Sequence, residues 1–291
     1  SDRGRMLGSG QGYQKLRASS SIGSDGGGKP GKDARHLLGL PDVDVNSLSE
    51  TLVQTENLQT FQFERVHRLR DSRLFGAPVA IVHKSPPAEI GRIGVGVAVQ
   101  PVTYNESFYG YCPSEFVHAD VMVRYLTLVF GSRFALWLSL VTSGEFGFER
   151  EVVEKAALDR IPLPDLRHLS SDRRNEISQL FDGLRLSTNS WDDVDRWVAD
   201  LYGLGPSDLQ IISDTLTYNL PFAENKIAAQ APPSESVISN FCSVLGDELA
   251  PWATRFNRPL SVQMIVSRPT SPWRGLSVHV DRDSASPRAQ Q

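Results

Sequence analysis

Apolar positions between Asp120 and Leu140 recur at three and four residues, at Val121, Tyr125, Leu128, Val129 and Leu136, the spacing of one buried helix face. Gly131-Ser132 interrupts the run and predicts a kink or a break. Upstream the pattern is that of strands. Val79–His83 is a short apolar strand stopped by Pro86-Pro87, and Ile93–Val102 is a β-branched strand whose Gly94 and Gly96 predict a bulge or a close backbone approach. Leu52-Val53-Gln54 and the alternation from Leu58 to Phe63 are strand-like, and Tyr104–Tyr111 is an aromatic strand or loop.

Downstream the pattern is helical. A helix over Glu149–Leu158 is stopped by Pro162, and Ser171-Asp172 caps the next, with Ile177, Leu180, Phe181 and Leu184 on one stripe. Asn189 or Ser190 caps a helix through Val198, with Asp192 and Asp193 in the first turn, where the helix dipole favours them. Further helices are predicted from Pro206 through Leu216 and over Ser234–Arg255, before a closing hairpin of Leu260–Val266 with Leu276–Val280.

These elements predict an α+β chain: a small mixed-sheet lobe, then a helical spacer, then a helical C-terminal region with a closing β-hairpin. Four segments follow: a flexible Gly/Ser-rich stretch over 1–33, an α/β domain over 34–165, a helical spacer and subdomain over 166–230, and the C-terminal helix and hairpin over 231–291. The first is set apart because Gly8-Ser9-Gly10-Gln11-Gly12, Ser19-Ser20-Ser21 and Gly26-Gly27-Gly28 offer little surface to offset the entropy of ordering.

Charge modifies this picture more than composition does. The 291 residues carry a net charge of −4. Residues 1–92 hold thirteen Lys/Arg against ten Asp/Glu, and the rest seventeen against twenty-four, so any nucleic acid is expected at the N-terminal third. The longest apolar run, Phe134–Val141, is far short of the roughly 20 residues that span a bilayer, so no membrane contact is expected. The start, Ser1-Asp2-Arg3-Gly4-Arg5, has neither a signal-peptide core nor an initiator Met, as in an internal fragment. Cys112 and Cys242 are far apart in sequence and are expected as reduced core residues of a cytoplasmic protein.

Little in the chain suggests catalysis. Amino-methyltransferases use an Asn/Asp/Ser-Pro-Pro-aromatic loop whose aromatic stacks on a flipped base; Ser85-Pro86-Pro87 approaches it, but Ala88 stands where the aromatic is needed. The glycines at 8–12 follow no predicted strand and fail the context of a nucleotide loop. The six histidines, at 36, 67, 83, 118, 168 and 279, have no metal-ligand spacing. No Gly-x-Ser-x-Gly elbow is present. A nuclease set can be assembled from Glu64, Asp71 and Lys84, with Glu89 in reserve, but chance produces such sets in any chain this charged.

Several segments together resemble the target-recognition region of N6-adenine DNA methyltransferases of restriction-modification or phage-defence type. Phe75–Ser85 is similar to that region's apolar strand followed by Lys, and Val102–Gly110 to its strand followed by aromatic-Gly. The helix Val121–Leu140 leads to Ser143-Gly144-Glu145-Phe146-Gly147-Phe148-Glu149-Arg150 and to the exit Asp159-Arg160-Ile161-Pro162-Leu163-Pro164-Asp165. Helix 171–186 matches the spacer helix, and Leu201-Tyr202-Gly203-Leu204 and Asp214-Thr215-Leu216 resemble methyltransferase tails. The likeness covers roughly residues 60–230, carried by the order and spacing of short motifs.

The resemblance implies a specificity module that chooses a DNA site and is not an enzyme on its own. It also implies a partner catalytic domain or subunit that binds S-adenosylmethionine, with no cofactor or metal in this chain. Double-stranded DNA would be held by backbone-positioning cations and read by polar side chains on loops. The candidates are Arg65, Arg68, Arg70, Arg73 and Lys84, with Arg92 nearby, as cations, and Asn105, Ser107 and Tyr109 as readers. Two rivals stand beside this: a protein-interaction module in which helices 171–216 dock a catalytic methyltransferase subunit, and a metal-dependent nuclease.

Overall fold

The computed structural model describes residues 8–15, 31–48, 51–86, 91–113, 116–144, 152–224, 233–255, 257–266 and 274–280. They fall into two compact units, 1–225 and 226–291. The architecture is α+β, a sheet-containing lobe followed by helices and a C-terminal hairpin.

The first unit contains strands β1 (Gly8–Gln11), β2 (Lys32–Asp33), β3 (Asp42–Val43), β4 (Arg65–Val66), β5 (Val79–His83), β6 (Val95–Ala98), β7 (Thr103–Tyr104) and β8 (Phe108–Cys112). Four of them form a sheet in the order β1-β8-β5-β6, antiparallel throughout, with Ile81 opposite Gly110 and Gly96. Small two-stranded ladders, β2 with β4 (antiparallel) and β3 with β7 (parallel), make the lobe mixed.

Successive strand residues face opposite sides, and here both sides are covered. Ala80, Val82, Val95, Val97, Tyr109 and Tyr111 join a core with the helices. Val79, Ile81, Ala98, Phe108 and Cys112 join a second core with Tyr13, Leu37, Val43, Phe61, Val66, Phe75 and Tyr104. Two-sided burial explains why Val79–Val82 is an unbroken apolar run rather than an alternation.

The helical layer consists of α1 (Ala119–Phe130), α2 (Arg133–Thr142), α3 (Lys155–Arg160), α4 (Ser171–Arg185), α5 (Trp191–Tyr202) and α6 (Pro206–Glu224). The expected break at Gly131-Ser132 is a 67° bend between α1 and α2. Ser132 caps α2 by accepting from the Ala135 amide at 3.2 Å. A side chain at Gly131 is impossible without rearrangement, since a Cβ there would lie 2.4 Å from the Trp191 ring.

Arg92 fixes this corner. Its side chain is 7% exposed, and its guanidinium donates to the Gly131 carbonyl at 3.2 Å and to both Asp195 carboxylate oxygens at 2.9 and 2.5 Å. It lies 5.4 Å from the Trp191 ring centre. Asp195 also accepts from the Arg133 amide at 2.9 Å, at the start of α2. Arg92, grouped above with the DNA-facing cations, is therefore part of the core.

Several expectations need correction. Residues 8–15 are built into the fold: β1 pairs with β8, and Tyr13 is completely buried, its hydroxyl donating to Asp42 at 2.7 Å. Residues 16–30 lie outside the described residues. One apolar core runs from Ala80 to Leu216, so the boundary expected at 165/166 falls inside a single unit. The segments 52–54 and 58–63 are not strands. They pair through isolated bridges such as Leu52 with Val97 and Pro41 with Thr60, and Phe61 donates to the Leu40 carbonyl while its own carbonyl accepts from the Gly39 amide. The helix expected from Glu149 is described only as α3, beginning at Lys155. Helix α4 is capped by Ser170, one residue before the expected cap.

The second unit consists of α7 (Glu235–Thr254) packed on the antiparallel hairpin of β9 (Leu260–Val266) and β10 (Arg274–Val280). Cys112 is buried in the sheet, whereas Cys242 on α7 is only half-buried, and both are free thiols. Among the described residues, no single helix is long and apolar enough to cross a membrane.

Asp195→Ala strands Arg92 in the core without its counter-charge. We expect it to cost about 3 kcal/mol in urea unfolding. Asp192→Ala, which removes a 77% exposed carboxylate 3.6 Å from the same guanidinium, should cost under about 1 kcal/mol. Equal losses would show that the Arg92–Asp195 pair does not hold the corner.

Candidate nucleic-acid interface

The expected site residues separate into three groups. The first lies around the turn that connects β7 to β8, closed by the Phe108 amide donating to the Asn105 carbonyl at 3.1 Å. Within it the Asn105 carboxamide oxygen accepts from the Ser107 amide at 2.8 Å. The Ser107 carbonyl accepts from the Lys84 amide at 3.0 Å, which brings the end of β5 beside the turn. Arg70 reaches the same place, donating to the Gln11 side-chain oxygen at 3.0 Å and to the Gly12 carbonyl at 3.3 Å. Gln11 in turn donates to the Glu106 carbonyl at 2.9 Å.

Lys84 is half-buried, with its ammonium 5.0 Å from the Tyr109 ring centre. Loss of solvent pulls its pKa below the usual lysine range; Glu106 opposes the shift and Arg70 adds to it. Burial likewise lowers the pKa of neighbouring His83, whose ring packs 5.2 Å from that of Phe108.

The second group is an exposed basic strip on and beside β4. Arg65 and Arg68 are both exposed, and the β2–β4 register brings Asp33 opposite Arg65 and Lys32 opposite Val66. Arg68 bridges to Gln14 through the backbone, and Lys15 follows with its ammonium 5.0 Å from the ring centre of the partly exposed Phe63. Among the described residues, the Arg68 side chain has no hydrogen bond or ion pair.

The third group comprises residues that local chemistry withdraws from a ligand. Arg73 is bound by Asp71, which accepts from its amide at 3.0 Å and from its guanidinium at 3.1 and 2.7 Å. That pairing holds the Asp71 carboxyl down to about 2. The Asp-x-Arg spacing repeats at Asp33/Arg35 and Asp165/Arg167, each time at the start of a short 3-10 turn. Tyr109, expected as a reader, is 7% exposed, and its hydroxyl donates to the Val153 carbonyl at 3.3 Å. Burial raises its pKa. Tyr109 is thus a core residue and cannot reach a base edge.

The first two groups are joined by a segment that sequence reasoning passed over. Residues 11–14 run between them: Gly12 donates to the Phe108 carbonyl at 3.1 Å, Tyr13 to the Tyr104 carbonyl at 3.0 Å, and Gln14 to the Arg68 carbonyl at 3.1 Å. A Cβ at Gly12 would lie 2.1 Å from the Tyr104 carbonyl oxygen and 2.2 Å from that of Asn105, so only glycine fits. The usable signal was local: a glycine immediately before the bulky, buriable Tyr13 in an otherwise small-residue stretch.

Members of the candidate nuclease set have other partners or lie outside the described residues. Asp71 is engaged by Arg73, Lys84 packs on Tyr109, and Glu89 lies outside the described residues. Among the described residues, no group of three His, Cys, Asp or Glu side chains is arranged to hold a metal ion. Pro87 and Ala88 of the Pro-Pro segment also lie outside the described residues.

No protein-family model matches the chain, and no curated protein matches it.

Gly12→Ala forces residues 11–14 off the turn. We expect a loss of about 1–3 kcal/mol, as for other overpacked sites, with faster amide exchange at Tyr13 and Gln14. Unchanged exchange at those two amides would show that the segment is not held by this approach.

Proposed function

We propose that the chain is a sequence-specific DNA-recognition module of an N6-adenine DNA methyltransferase system, of restriction-modification or phage-defence type, working in a cytoplasmic setting. The observation that carries this reading is that residues 11–15 link, through backbone hydrogen bonds, the strip of Lys15, Lys32, Arg65 and Arg68 to the turn at Asn105–Ser107. Exposed cations position phosphates without regard to sequence, and a polar turn between them can enter a groove. Arg65, Arg68 and Lys32 take the phosphate role, Lys84 supports the turn, and Arg70 orders it through Gln11. Methyl transfer then belongs to a partner catalytic domain that supplies S-adenosylmethionine. The order of the strand, bent helix pair, Pro-rich exit and spacer helix favours that partner class over other DNA-acting enzymes.

A protein-docking reading draws on a different surface. Val237, Phe241, Val244 and Trp252 are exposed on α7 at helical spacing and offer an apolar stripe. Helices α4 to α6, first considered for that role, bury Ile177, Phe181, Val194, Val198, Ile212 and Leu216 in the first unit's own core.

Duplex binding, followed by fluorescence anisotropy, should weaken steeply with salt. Arg65→Ala with Arg68→Ala should reduce the slope of log K against log salt by about 2, at about 0.9 per lost phosphate contact, and should weaken all duplexes alike. Arg73→Ala should leave that slope nearly unchanged. Absence of salt-dependent duplex binding at about 50 mM salt, alone and with a methyltransferase partner, would overturn the reading.

A further inference from the structure

The groups on the β7–β8 turn that could read a base are mostly committed elsewhere. The Asn105 carboxamide oxygen holds the Ser107 amide, the Ser107 carbonyl holds Lys84, and Tyr109 is buried. Glu106, at the tip, differs. Its carbonyl is fixed by Gln11, and Gln11 by Arg70, so its backbone is held from two steps away. Its half-buried side chain makes no hydrogen bond or ion pair among the described residues, though Lys84 and Tyr13 lie near enough to feel its charge.

A carboxylate only accepts hydrogen bonds. On a surface otherwise suited to phosphates it repels the backbone of DNA. The base edge it matches is one that offers a donor, and in the major groove a carboxylate pairs with the cytosine N4 amino group. Lys84 lies near enough to feel its charge, and the lysine's own positive charge lowers the cost of bringing an acid close to a polyanion.

Resting on duplex recognition as argued above, we propose that Glu106 is a specificity-determining residue that reads a C·G base pair by accepting from the cytosine amino group, with Gln11 and Arg70 as its positioning residues. Enrichment of randomised DNA duplexes by the full chain tests this, comparing wild type with Glu106→Ala, Glu106→Gln and Gln11→Ala. Wild type should enrich cytosine at one fixed position. Glu106→Ala should reduce discrimination there by about tenfold or more, leaving the other positions and the salt slope unchanged. Glu106→Gln should move the preference toward adenine, whose N6 and N7 a carboxamide engages together. Gln11→Ala should blur the same position only, with the melting temperature held. If wild type and both Glu106 variants enrich the same base at every position, or wild type shows no cytosine preference while still binding duplex, the assignment of Glu106 falls and duplex recognition stands. If wild type neither enriches any site nor shows salt-dependent binding, both fall.

Discussion

The sheet of the first unit is buried on both faces, and that constraint decides where anything can bind. Helices cover one side through Tyr109, Tyr111 and Val82, and the irregular N-terminal layer covers the other through Phe108, Ile81 and Cys112. Polar chemistry is left to the rim, where strands end and turns begin. The β7–β8 turn, the end of β5 at Lys84 and the short β2–β4 ladder all lie at such ends. A surface of this kind resists deformation because its base is a packed core, while the turn on top can differ in sequence without disturbing the layers beneath.

The arginines divide according to the same logic. A guanidinium that finds a carboxylate or a carbonyl within its own fold is spent there. Arg92 ties Gly131 to Asp195 in the core. Arg73 closes on Asp71 two residues away, and Arg70 orders Gln11 and Gly12. These three have different depths but one consequence, which is that their charge is already answered or directed inward. Arg65 and Arg68 are exposed, and the acid opposite Arg65 in the β2–β4 register, Asp33, is itself held by Arg35. Proximity in sequence made all of these look like one basic patch; hydrogen bonding separates them.

This also explains what was legible beforehand. Most of the helices, the break at Gly131, the strand at 79–83 and the closing hairpin follow from periodicity and from residues whose backbone preferences are strong, and these are present. The candidate site was legible only in part. Asn105, Ser107, Arg70 and Lys84 do come together, but nothing in local pattern reveals that Tyr109 faces the helices while Phe108 faces away, since a strand covered on both sides has no polar face to set its phase. Residues 8–15 depart from the expected flexible stretch for a related reason. Composition measures what a segment can bury by itself, whereas Gly8–Gln11 is ordered by pairing with β8 and Tyr13 by filling a core that others build. The Asp-x-Arg pairs were readable in retrospect, because an acid two residues before an arginine at a turn start can accept from both its amide and its side chain.

The small number of uncommitted cations on the rim among the described residues has a further consequence for how a module like this would work. Lys15, Lys32, Arg65 and Arg68 together could neutralise about four phosphates, and electrostatic binding of that extent is weak and strongly salt-dependent at physiological ionic strength. A reader that gains little affinity from charge discriminates well, because non-specific sites compete poorly, but it occupies its target only when held nearby. Tethering to a catalytic partner would supply this by raising the effective concentration to about the millimolar range for a short linker. On the proposed reading, modest charge on the rim and dependence on a partner would be two sides of one balance, since adding cations to strengthen the isolated module would raise its affinity for every sequence alike.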